Sequence, residues 1–117
     1  MIKFYGYDKC STCIKAKKLL TSKGIKFEDI DITTNPPAKD LLNQILDSGK
    51  YDLKALFNKS GQMYREMNMK DKINIMSKEE LLDLLSKNGR LVKRPVISDG
   101  KQHCVGYDEK NTSMFFK

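Results

Sequence analysis

A short apolar run, Ile2-Lys3-Phe4-Tyr5-Gly6, gives way at Cys10-Ser11-Thr12-Cys13 to apolar residues on a different period. Cys13, Ala16, Leu19 and Leu20 share one face, and Lys15, Lys17 and Lys18 lie mostly on another. That is the spacing of an amphipathic helix over Thr12 to Ser22, and Gly24 is placed to stop it. Residues 26–32, Lys-Phe-Glu-Asp-Ile-Asp-Ile, then read as a second strand with Phe27, Ile30 and Ile32 as its apolar set. Strand, helix and strand in so short a span predict two parallel strands joined by a helical crossover. This constrains the chain to an α/β fold and sets two cysteines at the strand-to-helix junction.

The junction carries the chemistry. A helix start has unpaired backbone N–H groups and a partial positive charge. A thiolate is stabilised there, so the cysteine becomes a nucleophile near neutral pH. Lys9 and Lys15 add positive charge on either side. The second cysteine, one turn on, can attack a disulfide or an oxidised sulfur formed on the first. A C-x-x-C pair is also half of a zinc site, which needs about four ligands. The other ligand candidates, His103 and Cys104, are adjacent on a predicted strand and so point to opposite faces. The reading therefore assigns no metal. It expects His103 on the solvent side of its strand and Cys104 to be a core or edge-strand thiol.

Beyond the second strand, Asn35-Pro36-Pro37 breaks the chain and leads into a helix over 38–48 with Leu41, Leu42, Ile45 and Leu46 as its stripe, ended by Gly49. Single turns follow at Asp52 to Phe57 and Gln62 to Met67, around Ser60-Gly61, and Lys70 to Met76 is ambiguous. Ser77 with Glu80 three residues later predicts a capping box for a helix from Lys78 to Lys87. After Asn88-Gly89, the run Val96-Ile97 enters a turn with Asp99-Gly100 at its tip, and Gln102 to Val105 returns antiparallel. Residues 108–116 suit a short C-terminal helix. The order is β-α-β, a helical block, then β-β-α. It predicts a thioredoxin-like (glutaredoxin-like) layout, residues 1–33 and 91–117, with a helical insertion at 34–90.

Of the 117 residues, 39% are hydrophobic and 32% charged, which fits one soluble globular domain. No apolar run reaches the length of a membrane span. Met1 leads straight into a strand without a basic-then-apolar leader, so the expected location is cytoplasmic. Three cysteines, an odd number, argue for a working thiol pair over a disulfide framework. The formal net charge of +7 favours anionic partners. The lysines are dispersed, with no arginine-rich tract or aromatic platform, so a solvated surface is preferred to direct nucleic-acid binding.

Several segments together resemble the ArsC/Spx family, which holds the glutaredoxin-like arsenate reductases and the Spx and MgsR type regulators. They are Tyr5 to Cys13, Lys15-Ala16-Lys17-Lys18, Asn35-Pro36-Pro37, Leu56-Phe57-Asn58, Gly61 to Glu66, Leu84-Leu85 and Lys93-Arg94-Pro95-Val96-Ile97. They occur in the family's order over nearly the whole chain. The resemblance implies Cys10 as nucleophile, with the backbone N–H groups from Cys10 through Ser11 and Thr12 to Cys13 cradling an oxyanion. It implies that Arg94 grips the oxyanion and lowers the thiol pKa, and that Pro95 is a cis proline beside the nucleophile. Cys13 is read as a resolving thiol that leaves a Cys10–Cys13 disulfide for an external reductant, glutathione/glutaredoxin or thioredoxin; a buried helix residue is the competing role. No bound cofactor is implied. The expected function is a thiol oxidoreductase acting on an oxyanion or a disulfide, with a redox protein as partner. The alternative is a redox-switch regulator that binds RNA polymerase; such regulators are expected to run longer at the C-terminus. Two further arginines of the arsenate enzymes would fall near Asn58 and Gly106-Tyr107, and the regulators' basic residue near position 60 is Ser60 here.

Overall fold

The structure, a computed structural model, describes residues 2–107. The helix expected at 108–116 lies outside the described residues. The chain forms two compact units, residues 2–31 with 94–107 and residues 32–93.

The first unit is a four-stranded mixed sheet with one helix. Strands β1 (Ile2–Gly6), β2 (Phe27–Asp31), β3 (Val96–Ser98) and β4 (His103–Val105) lie in the order β2-β1-β3-β4. β1 and β2 are parallel, with Ile2 opposite Phe27 and Gly6 opposite Asp31. β1 and β3 are antiparallel, pairing Phe4 with Ile97, and β3 and β4 close the hairpin, pairing Ser98 with His103. Gly100 at the hairpin tip has φ +93°, a conformation that favours glycine. The parallel pair, the crossover helix and the antiparallel hairpin are the thioredoxin-like arrangement that the element order implied.

Helix α1 (Ser11–Ser22) buries Cys13, Ala16 and Leu20 against Phe4, Ile97 and Cys104 of the sheet. The apolar set read for β2 is split by the pleat: Phe27 and Ile30 are an odd number of residues apart, so they face opposite sides. Phe27 meets Phe4 with ring centroids 5.3 Å apart, and both Phe27 and Ile30 stay half-buried because β2 is an edge strand. His103 corrects its sequence reading. It is 6% exposed, and its Nδ1 lies 2.8 Å from the Ser98 hydroxyl. Strand β4 is covered on both faces, so alternation did not send this residue to solvent.

The second unit is helical: α2 (Lys39–Asp47), α3 (Gln62–Glu66), α4 (Met69–Lys72) and α5 (Lys78–Lys87), with 3₁₀ turns at Lys54–Leu56 and Gly89–Leu91. α2 supplies buried Leu42 and Ile45, and α5 supplies Leu81, Leu82 and Leu85. Ser77 and Glu80 form the reciprocal capping box at the start of α5, each bond 3.2 Å long. The turn at Lys54–Leu56 ends where Phe57 pairs with Val92 in an isolated antiparallel bridge, flanked by Asn58 N–H to Leu91 C=O at 2.7 Å and Lys93 N–H to Leu56 C=O at 2.8 Å, and left-handed Asn68 (φ 53°) separates α3 from α4. Gly89 is required at its position, since a Cβ there would sit 1.7 Å from the Ile32 carbonyl oxygen. No helix among the described residues is long and apolar enough to cross a membrane.

Candidate active site

Cys10 is the residue at which extended backbone (φ −87°, ψ 116°) turns into α1. Its C=O takes the Ile14 N–H at 3.0 Å. The amides of Ser11, Thr12 and Cys13 precede that first helical bond, so they remain available at the positive end of the helix. Cys10 is half-buried, while Cys13 is fully buried among Phe4, Ala16, Leu20 and Ile97. Ser11 and Thr12, between them, are exposed. No disulfide joins any two of the three cysteines.

The Thr12 hydroxyl lies 3.0 Å from the Cys10 sulfur and 3.5 Å from the Arg94 carbonyl oxygen. It has one proton to give. With Cys10 protonated, the thiol can donate to Thr12 Oγ1 while Thr12 donates to Arg94 C=O. With Cys10 ionised, the Thr12 proton turns to the sulfur. The hydroxyl thus answers to the charge on Cys10 without moving.

The two sulfurs are driven apart in acidity. Burial raises the Cys10 pKa and is the largest single influence on it. The Thr12 hydroxyl, the Cys13 thiol, the Cys13 backbone N–H and the Arg94 charge more than offset it, so Cys10 lies below the ordinary thiol value. The Cys13 amide faces the sulfur without completing a helix-cap hydrogen bond. Cys13 is pushed up to about 12, first by burial and then by its hydrogen bond and charge repulsion with Cys10. Of the two, Cys13 keeps its proton and Cys10 is the sulfur inclined to ionise.

Arg94 is half-buried and precedes Pro95, with the Arg94–Pro95 peptide bond cis. Its guanidinium lies over the Tyr7 ring, 5.3 Å from the centroid. The structure thus brings Cys10, Thr12, Cys13, Arg94 and Pro95 into one unit. Asn58, Lys59 and Ser60 belong to the other. Among the described residues no group of three His, Cys, Asp or Glu side chains is gathered for a metal. Cys104 is buried with its sulfur 3.4 Å from Gly106 C=O.

Two contributors went unassigned in the sequence. A Cβ at Gly6 would lie 2.5 Å from the Phe4 ring and 3.3 Å from the Cys13 sulfur, so the absence of a side chain is what lets Cys13 seat against β1. Tyr7 accepts the Cys10 N–H on its C=O at 3.1 Å and also carries the ring beneath Arg94. Both sit inside the family-like run from Tyr5 to Cys13, but their roles depend on contacts that spacing does not reveal.

A thioredoxin-like sheet with a cysteine pair opening its first helix and a cis proline before β3 defines the class: a thiol oxidoreductase-like fold. The chain belongs to the ArsC family, whose sequence model it matches over residues 5–115. It is 45% identical over 106 residues to the uncharacterized protein YusI of Bacillus subtilis, covering 91% of this chain and 90% of that one. A crystal structure of a possible arsenate reductase from Streptococcus mutans matches with 41% identity and a TM-score of 0.85, over 92% of this chain and 91% of that one. The global transcriptional regulator Spx of Lactiplantibacillus plantarum is 28% identical over 115 residues, 98% of this chain and 86% of the regulator.

Proposed function

We propose that this protein is a thiol-based oxidoreductase of the arsenate reductase type, with Cys10 as nucleophile, Cys13 as resolving thiol, and Arg94 with the Ser11 and Thr12 groups holding the oxyanion. The observation that carries the reading is the split between two cysteines one helical turn apart, one below the ordinary thiol pKa and the other pushed up to about 12. The similarity to the Streptococcus mutans protein described as a possible arsenate reductase supports the substrate class.

The chemistry proceeds in two displacements. The Cys10 thiolate attacks the arsenic of arsenate, forming an S–As bond as an arsenate hydroxyl takes a proton from solvent and leaves as water. The Arg94 guanidinium and the free amides at the start of α1 bear the oxyanion charge. Consuming the Cys10 charge removes one of the influences that keep Cys13 protonated, so the second thiol is released in the correct order. Cys13 loses its proton and attacks the Cys10 sulfur. The S–S bond forms, the S–As bond breaks, and its electron pair stays on arsenic, reducing As(V) to As(III). A thiol reductant, glutathione/glutaredoxin or thioredoxin, then supplies two electrons to reopen the disulfide.

The relationship to Spx favours a second reading, in which the same disulfide switches a regulator that docks on RNA polymerase. Arsenate-dependent oxidation of each reductant separates the two. The enzyme reading expects turnover with one of them, lost by about a thousandfold or more in Cys10→Ser. Absence of turnover with both reductants, in protein whose Cys10–Cys13 disulfide forms readily with an added oxidant, moves the regulator ahead.

A further inference from the structure

We propose that Tyr7 is a positioning residue of this site: its ring holds the Arg94 guanidinium for the oxyanion, so the side chain at position 7 sets anion affinity and Cys10 reactivity. The inference rests on the oxyanion-handling reading above and adds a residue to it.

Tyr7 is the first residue after β1 and meets both cysteines and Arg94. Its C=O takes the Cys10 N–H, its own N–H faces the Cys13 sulfur, and its ring lies 5.3 Å from Arg94 Cζ. The two backbone contacts would survive any side chain. The third requires an aromatic ring.

Arg94 has need of such a support. It is a long, rotamer-rich side chain, and among the described residues it takes no ion pair. A carboxylate partner would fix it but would also occupy its hydrogen-bonding fork and repel an incoming anion. An aromatic face holds the cation from one side and leaves the in-plane N–H groups free for a two-point grip. The same guanidinium favours ionised Cys10, so a wandering Arg94 would weaken both functions together.

The test measures protection of Cys10 from iodoacetamide by inorganic sulfate, and the pH midpoint of Cys10 alkylation. The variants are Tyr7→Phe, Tyr7→Leu, Arg94→Ala and the Tyr7→Leu/Arg94→Ala double. Tyr7→Leu is expected to weaken sulfate protection about two- to fivefold, the range of an exposed cation–π contact, and to move the alkylation midpoint upward. Tyr7→Phe should keep both near the parent values, because the ring and not the hydroxyl makes the contact. In the Arg94→Ala background, Tyr7→Leu should add nothing. The inference is overturned if Arg94→Ala shifts both readouts and Tyr7→Leu shifts neither, or if Tyr7→Leu costs as much without Arg94 as with it. If Arg94→Ala itself moves neither readout, the oxyanion reading fails at its base and takes this inference with it.

Discussion

Cys10 and Cys13 are separated by two residues and occupy opposite sides of a boundary between solvent and core. Helix geometry alone would favour a thiolate at either, since both lie in the first turn. Burial and mutual repulsion decide between them: Cys13 sits among Phe4, Ala16 and Leu20 and rises to about 12, while Cys10 gains Thr12, the helix amides and Arg94. Alkylation at pH 6 to 7 followed by mass spectrometry is therefore expected to label Cys10 first, with Cys13 and Cys104 unmodified. Labelling of Cys13 first would reverse the assignment. The Arg94 contribution is graded. Sulfate or arsenate affinity should fall in the order Arg94, Arg94→Lys, Arg94→Ala, because lysine keeps the charge but loses the planar fork. The C-x-x-C pair and Arg94 were legible in the sequence from residue type and order. The Thr12 hydroxyl bridge and the Tyr7 ring were not, because each depends on a carbonyl or a guanidinium 82 or 87 positions away in the chain.

At the scale of elements, two features carry measurable consequences. The capping box of α5 satisfies two backbone donors that would otherwise be orphaned at the helix start. Ser77→Ala should cost about 1 kcal/mol in chemical denaturation, with the alkylation behaviour of Cys10 unchanged. The β3–β4 hairpin contains the buried His103, whose pKa is lowered by burial, with Asp99 pulling the other way. A lowered folded pKa means that the unfolded chain binds the proton more readily. Stability from this residue is thus complete above the ordinary histidine value of about 6.5 and declines as pH falls below it. Melting temperature should drop between pH 7 and pH 5, and His103→Gln should flatten that slope. An unchanged slope would mean His103 titrates as an exposed residue. Sequence alternation predicted the hairpin and its Asp-Gly tip but placed His103 outward, because the rule presumes one wet face and β4 has none. Ser77-x-x-Glu80 was readable because both partners of the cap lie within one turn.

At the scale of the whole molecule, the element order alone implied the sheet. A β-α-β start and a β-hairpin return leave few ways to assemble four strands, and the observed order β2-β1-β3-β4 is one of them. The helical unit at residues 32–93 was legible as helical but not in its details. The turn at Lys54–Leu56 ends at the Phe57–Val92 bridge, a pairing 35 residues apart that periodicity cannot show, and the break between α3 and α4 falls at left-handed Asn68. Family membership ties the two units to one inherited design, and the site lies wholly in the first. The central claim is that Cys10 and Cys13 together deliver two electrons to an oxyanion. A single turnover of fully reduced protein with arsenate, in the absence of any other thiol, tests it directly. Acid quenching and peptide mapping should find one arsenite and one Cys10–Cys13 disulfide formed in equal amounts, with Cys104 still a thiol. Recovery of unreduced arsenate with all three cysteines still free, or a disulfide that includes Cys104, would contradict it.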